Sequence, residues 1–187
     1  MILCYIYEGM ADFEITLLLH RLRNTGKREI VTISERTEKI TAQSGMAYLP
    51  DQRIADITDI AGIEALIIPG GPINNDQNEI IGLVQSMIGQ QKLVASICFS
   101  PQFLGRAGVL DRYRFTTSCT AEKIVALGCR DPFNWSNYLD RRVVTDRNLI
   151  TAKGYAFVDF AIAVADYLHI FKDDRQKYEQ LGRVKED

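Results

Sequence analysis

Short β-branched runs alternate along this chain with longer stretches of helical period, and that alternation restricts the fold more than any other feature. Met1 to Tyr7 reads as a buried strand bounded by Glu8-Gly9. Residues 11–24 then switch period, with Ile15, Leu18, Leu19 and Leu22 on one face and Asn24-Thr25-Gly26 closing the helix. Strands are expected at 29–34 (EIVTIS), 46–49, 65–68 (ALII) and 93–97 (LVASI), the third running into Pro69-Gly70-Gly71-Pro72. Helices are expected over about 78–91, 101–108 and 155–170, and strand candidates at 113–117 and 142–151 flank a less regular stretch. Such an order predicts a mostly parallel sheet covered by helices on both faces. No repeat or linker divides residues 1–171, and the charged segment 172–187 has no sustained apolar face, so it reads as a solvated helix or frayed tail.

Composition narrows the function classes. Hydrophobic residues make up 47% of the 187-residue chain and charged residues 25%, which excludes a disordered or disulfide-scaffold protein. Twenty-two basic residues against twenty-four acidic ones give a net charge of −2, so no general pull toward nucleic acid or an anionic membrane is expected. The amino terminus lacks the basic region of a secretory signal and no run approaches transmembrane length, which predicts a cytoplasmic protein with reduced thiols. Cys4, Cys98, Cys119 and Cys129 show no short paired spacing, so neither a metal site nor a CxxC redox motif is expected, and no cofactor is implied.

Open α/β sheets place their sites at the carboxyl ends of strands. Three such ends stand out: Tyr7-Glu8-Gly9, Pro69-Gly70-Gly71, and Ile97-Cys98-Phe99-Ser100-Pro101. The third carries most information, because Ser96 and Ser100 supply the small residues that a sharp strand-to-helix elbow needs on either side of a nucleophile. Ser100-Pro101 reads as helix cap and first helical residue, placing Cys98 at a helix amino terminus. That position lowers a thiol from about 8.5 to roughly 3.5–7.5, so a thiolate at neutral pH is expected. The competing reading is an inert thiol ending a core strand. Glu14, in the first turn of the first helix, is either a dipole-compensating surface residue or a carboxyl at the strand-end rim, beside a thiol.

Taken in order, ADFEI, ALIIPGGP, ASICFSP with FLGRAGVL, and RRVVTDRNLITAKG leading into VDFAIAVADYL resemble the ThiJ/PfpI superfamily, relatives of class I glutamine amidotransferases and of the Parkinson-disease-associated deglycase. The resemblance runs from residue 1 to about 170 and implies a flavodoxin-like three-layer α/β sandwich and a homodimer. It assigns Cys98 to the reactive-cysteine position and Glu14 to the acid hydrogen-bonded to it. Gly70, Gly71 and the Phe99 backbone take the anion-binding rim. Where many relatives carry a histidine, this chain has Ser118, an auxiliary in that place. His20 and His169 are the two histidines, neither placed to serve Cys98, so a protease-type Cys-His pair has no base. Cys4 reads as core and Cys129 has no role; Cys119 is either core or a resolving thiol.

Two functions follow from this resemblance. In the first, Cys98 attacks a small electrophile, a reactive carbonyl of glyoxalase or deglycase type or an amide-like carbon. Glu14 shuttles the proton, and the Gly71 and Phe99 amides hold the oxyanion. In the second, Cys98 is oxidised by a small oxidant and Glu14 hydrogen-bonds the product, without turnover, as in a stress-response sensor. The missing histidine favours the second, since oxidation needs no base beyond the thiolate.

Overall fold

The computed structural model describes residues 1–73 and 79–185, and its central strands are the apolar runs of the sequence. In chain order the strands are β1 (Ile2–Tyr5), β2 (Ile30–Ser34), β3 (Ile40–Thr41), β4 (Ala47–Tyr48), β5 (Gln52–Arg53), β6 (Ala65–Ile68), β7 (Leu93–Ile97), β8 (Val143–Asp146) and β9 (Leu149–Ala152). Seven of them form one sheet in the order β5-β2-β1-β6-β7-β9-β8. Every neighbouring pair is parallel except β8 with β9. All residues of β1, β6, β7 and β9 are buried, so neither sheet face meets water there.

The helices supply that cover. α1 (Phe13–Asn24) packs on α5 (Phe157–Tyr167), while α2 (Ile80–Gly89) packs on α3 (Pro101–Arg106). In α1 the buried positions are Glu14, Ile15, Leu18 and Leu22: the expected apolar stripe, with Leu19 only half-buried and one carboxylic acid added. The start expected for α2 at residue 78 lies outside the described residues. No helix among the described residues is long and apolar enough to cross a bilayer.

Two expectations, at 113–117 and 142–151, need correction, and two others gain detail. Residues 113–117 form no strand: Phe115 makes a single parallel bridge with Tyr138. The Thr116 N–H instead goes to the Thr151 hydroxyl at 2.9 Å and the Thr117 hydroxyl to the Cys98 carbonyl at 2.7 Å, so the segment is tied down by side chains rather than by a ladder. The single strand expected over 142–151 is a hairpin of β8 and β9 that turns at Arg147, a non-glycine residue at φ 54°. The strand expected at 46–49 is half of a small β3–β4 hairpin, with Ile40 opposite Tyr48. The charged tail is a helix, α6 (Asp174–Gln180), begun by Asp173, whose side chain accepts from the Gln176 N–H. None of its own residues is buried, yet Leu181 beyond it is fully buried, and the Thr25 hydroxyl reaches Gln180 at 2.5 Å.

The chain runs from β1 outward to β2 and returns to β6 on the other side of β1. Loops therefore leave the adjacent carboxyl ends of β1 and β6 in opposite directions, opening the crevice where α/β sheets carry their sites. β7 ends beside it.

Candidate active site

Ile97 ends β7 and Pro101 begins α3, so Cys98, Phe99 and Ser100 make the entire turn. Cys98 adopts φ 64°, a left-handed conformation that costs a non-glycine residue about 1–3 kcal/mol. Its backbone is held from two sides. The Cys98 N–H donates to the Ala152 carbonyl at 2.8 Å, and its carbonyl accepts from the Ser118 N–H at 2.9 Å. Below the turn, Ser100 Oγ accepts from the Ile97 N–H at 2.9 Å and lies 2.9 Å from the Ile68 carbonyl and 2.7 Å from Ser96 Oγ. Ser100 was expected to cap α3 with that hydroxyl. It points back to β6 and β7 instead and makes no side-chain cap.

α1 delivers Glu14 to the same place. The residue is 2% exposed, its Oε2 accepts from the Gly70 N–H at 2.8 Å, and its carboxyl hydrogen-bonds the Cys98 thiol. The surface-residue reading of Glu14 is thereby excluded. Two glycines make the approach feasible. A Cβ on Gly70 would stand 2.5 Å from Glu14 Oε2 and 3.1 Å from Cys98 Sγ; one on Gly154 would stand 2.6 Å from Glu14 Oε1 and 3.0 Å from Sγ. Gly154, just after β9, was not singled out in the sequence, where it reads as an ordinary strand-ending glycine. Gly71 plays another part: it lies against Tyr7, whose hydroxyl donates to the Pro69 carbonyl at 3.0 Å. The Gly70 amide, expected on an anion-binding rim, is given to Glu14, whereas the Phe99 N–H does face the Cys98 sulfur. Ser118 Oγ accepts from the Gly154 N–H at 2.8 Å and hydrogen-bonds the same sulfur, so it stands where a base was sought but supplies a hydroxyl.

The thiol is not acidified. Burial first, and then the Glu14 carboxylate beside it, push Cys98 up to about 12, outweighing the Ser118 hydroxyl and Phe99 amide. Burial and the carboxylate thus oppose the lowering expected from the helix start. α3 has only six residues, too short a dipole to offset a buried carboxylate in contact. Burial also raises Glu14, against the Gly70 N–H and the Cys98 bond. Two acids in contact in a buried site hold one proton between them.

The other candidates lie elsewhere. His20 is exposed and contacts Asn24, and His169 sits past the end of α5 at φ 50°. Cys4 is buried in β1, its thiol held protonated by burial. Cys119 is buried and donates to the Thr120 carbonyl at 3.5 Å. Among the described residues no group of three or more His, Cys, Asp or Glu side chains could hold a metal ion.

The chain has relatives among known proteins. The model of the DJ-1/PfpI family matches residues 1–166. The chain belongs to the DJ-1/PfpI family. Its relatives include deglycase TK1284 of Thermococcus kodakarensis, 29% identical over 78% of this chain and 85% of that protein. Deglycase PYRAB04690 of Pyrococcus abyssi is 32% identical over 78% and 85%. The uncharacterized protease YoaZ of Bacillus subtilis is 26% identical over 91% and 84%. Among solved structures, the DJ-1 superfamily protein Atu0886 of Agrobacterium tumefaciens superposes with a TM-score of 0.82 at 27% identity, covering 98% of this chain and 97% of that one. The DJ-1/PfpI α/β fold of this chain, with its mostly parallel seven-stranded sheet, follows.

Proposed function

We propose that this DJ-1/PfpI protein is an enzyme in which Cys98 adds to small reactive carbonyl compounds, with Glu14 as its base. The observation carrying this reading is the buried Glu14 carboxyl hydrogen-bonded to the Cys98 thiol at a left-handed strand–helix elbow. A thiol held near 12 needs a base in contact to react at neutral pH, and a carboxylate raised by burial is a better base than a solvated one. As the sulfur attacks, its proton passes to Glu14, the S–C bond forms and the carbonyl pair moves onto oxygen. The Phe99 N–H and the Ser118 hydroxyl, which both face the sulfur, would hold that oxygen. Glu14 then returns the proton, giving a hemithioacetal. For a 2-oxoaldehyde, Glu14 removes the carbon-bound proton and returns it to the neighbouring carbon, leaving a thioester that water cleaves to a 2-hydroxy acid and free thiol. Two relatives named as deglycases agree with carbonyl chemistry of this type.

Consumption of methylglyoxal with formation of lactate by the protein, and its loss in Cys98→Ala, is the test. Equal turnover by the variant overturns the reading. Oxidation without turnover is a second reading, favoured by the same carboxyl, which would donate to a sulfinate oxygen when protonated. It predicts addition of two oxygens at Cys98 under dilute peroxide, and no loss of methylglyoxal. A thiol held protonated reacts slowly with peroxide, which places this reading second. The proposal includes a homodimer. Phe13, Met46 and Leu49 are exposed and flank the 2.9 Å hydrogen bond from Tyr48 to Asp12, an apolar face that a second copy would cover. Light scattering at micromolar concentration should give twice the chain mass; a monomer mass contradicts it.

A further inference from the structure

We propose that Asp12 positions Glu14 against Cys98 by tying the β3–β4 hairpin to the start of α1. This rests on the reading of Glu14 as the base above and names the residue that holds that base in place. Asp12 immediately precedes α1 and is 4% exposed. An aspartate there ordinarily turns its carboxylate back onto the first free N–H groups of its own helix. Asp12 makes no such cap, and the Glu14 N–H donates to the Ala11 carbonyl at 3.2 Å instead. Its Oδ2 accepts from the Ser44 hydroxyl at 2.5 Å, in the hairpin turn, and from the Tyr48 hydroxyl at 2.9 Å, in β4. Burial raises this carboxyl, but those two hydroxyls outweigh it and lower it, so Asp12 accepts from both as an anion at neutral pH. Oδ1 is buried and has no hydrogen-bond partner among the described residues. A carboxylate that forgoes its helix cap and leaves a buried oxygen unpaired is poorly arranged for stability alone.

The backbone carries the constraint from the hairpin to the sulfur. The Gly9 N–H donates to the Thr41 carbonyl and the Gln43 N–H to the Met10 carbonyl, each at 2.9 Å, so the segment before α1 lies along the hairpin. The Ala11 N–H donates to the Gly70 carbonyl at 2.7 Å, and the Gly70 N–H donates to Glu14 Oε2 at 2.8 Å. With the bond from Glu14 to Ala11 these close a ring, in which Gly70 holds both the segment before the helix and the carboxyl on it. Glu14 thus meets the Cys98 thiol in the register that Asp12 and the hairpin hold. Asp12 is a positioning residue, acting through Glu14.

The test is the pH profile of Cys98 alkylation by iodoacetamide, read by peptide mapping, together with methylglyoxal turnover. In Asp12→Ala the hairpin is released and Glu14 should withdraw from the sulfur, moving the profile to lower pH. In the same variant kcat should fall about 10- to 100-fold with KM nearly unchanged, the size expected of a base displaced by about 1 Å. Asp12→Asn keeps an acceptor for Ser44 and Tyr48 and displaces no donor from Oδ1, so it should restore the profile and most of the turnover. Tyr48→Phe leaves α1 untouched and should move both readouts in the same direction by less. Adding Asp12→Ala to Glu14→Gln should change neither readout further, because Asp12 acts through Glu14. A wild-type profile in Asp12→Ala, or in Tyr48→Phe where Asp12→Ala does not fold, overturns the positioning role. So does an Asp12→Asn profile displaced as far as that of Asp12→Ala, or a second loss of the same size in the double variant. Each of these leaves Glu14 as the base; undiminished turnover in Glu14→Gln overturns that reading itself.

Discussion

At the residue scale, two glycines and one acid decide whether the thiol has a partner. Gly154→Ala would put a methyl group 2.6 Å from Glu14 Oε1 and 3.0 Å from Cys98 Sγ, so the pair must separate. We expect at least a 10²-fold loss of methylglyoxal turnover in that variant, a magnitude typical of a lost general base. Glu14→Gln separates stability from activity. Burial raises Glu14 in the folded protein, so its stabilising contribution is present below the ordinary carboxyl value of 4.5 and is lost as pH rises through the folded value. Above that folded value the ionised carboxylate is a burden, and Gln still accepts from Gly70. The variant should melt higher at pH 7 but not at pH 4, at about 2–4 °C per kcal/mol. A lower melting temperature at pH 7 would contradict this. Cys98 was legible in the sequence because the elbow needs small neighbours, whereas Glu14 stood open between a surface residue and a rim carboxyl until the family resemblance assigned it. Gly154 was not, since close approach between β9 and two distant side chains leaves no local mark. The protonated thiol was missed for a related reason: a helix start is visible in sequence, but contact with a buried carboxylate is not.

At the element scale, the elbow is held by a buried hydroxyl rather than by helix capping. Ser100→Ala leaves the Ile97 N–H without its 2.9 Å acceptor and the Ile68 carbonyl without its donor. Such losses cost about 1–3 kcal/mol, and the urea midpoint should fall accordingly while α3, begun by Pro101, persists. Alkylation of Cys98 should slow in the same variant, because the left-handed turn is then under-held. An unchanged midpoint would show that the hydroxyl is dispensable. The parallel strands were readable from their apolar runs. The β8–β9 hairpin was not, because its turn places Arg147 at positive φ without the glycine that usually announces one. β5 has two residues, too few to show a period.

At the scale of the whole molecule, burial raises two thiols, Cys4 inside β1 and half-buried Cys98 at the end of β7. Cys4 and Cys98 are each held near 12 in the folded protein against an ordinary thiol value of 9.0. Their stabilising contribution is complete below about pH 9 and is lost as pH rises toward 12, at up to about 1.4 kcal/mol per pH unit for each group. The urea midpoint should therefore decline steeply above pH 9, and Cys4→Ala should flatten the decline while lowering the midpoint at pH 7. A slope unchanged by the substitution would locate the alkaline weakness elsewhere. Leu181 marks where whole-molecule packing escapes the sequence. One apolar residue in a charged tail carries no periodic signal, yet it is fully buried in the core.

The pairing of Cys98 with Glu14 is tested most directly by the pH dependence of iodoacetamide alkylation at Cys98, mapped by peptide, in the wild type and in Glu14→Gln. In the wild type the rate should keep rising into the alkaline range, because burial and the carboxylate hold the thiol near 12. In Glu14→Gln the charge is gone and the whole profile should move to lower pH, while methylglyoxal turnover at pH 7 falls. Superimposable profiles, or a wild-type thiol already fully reactive at pH 6, would contradict the account.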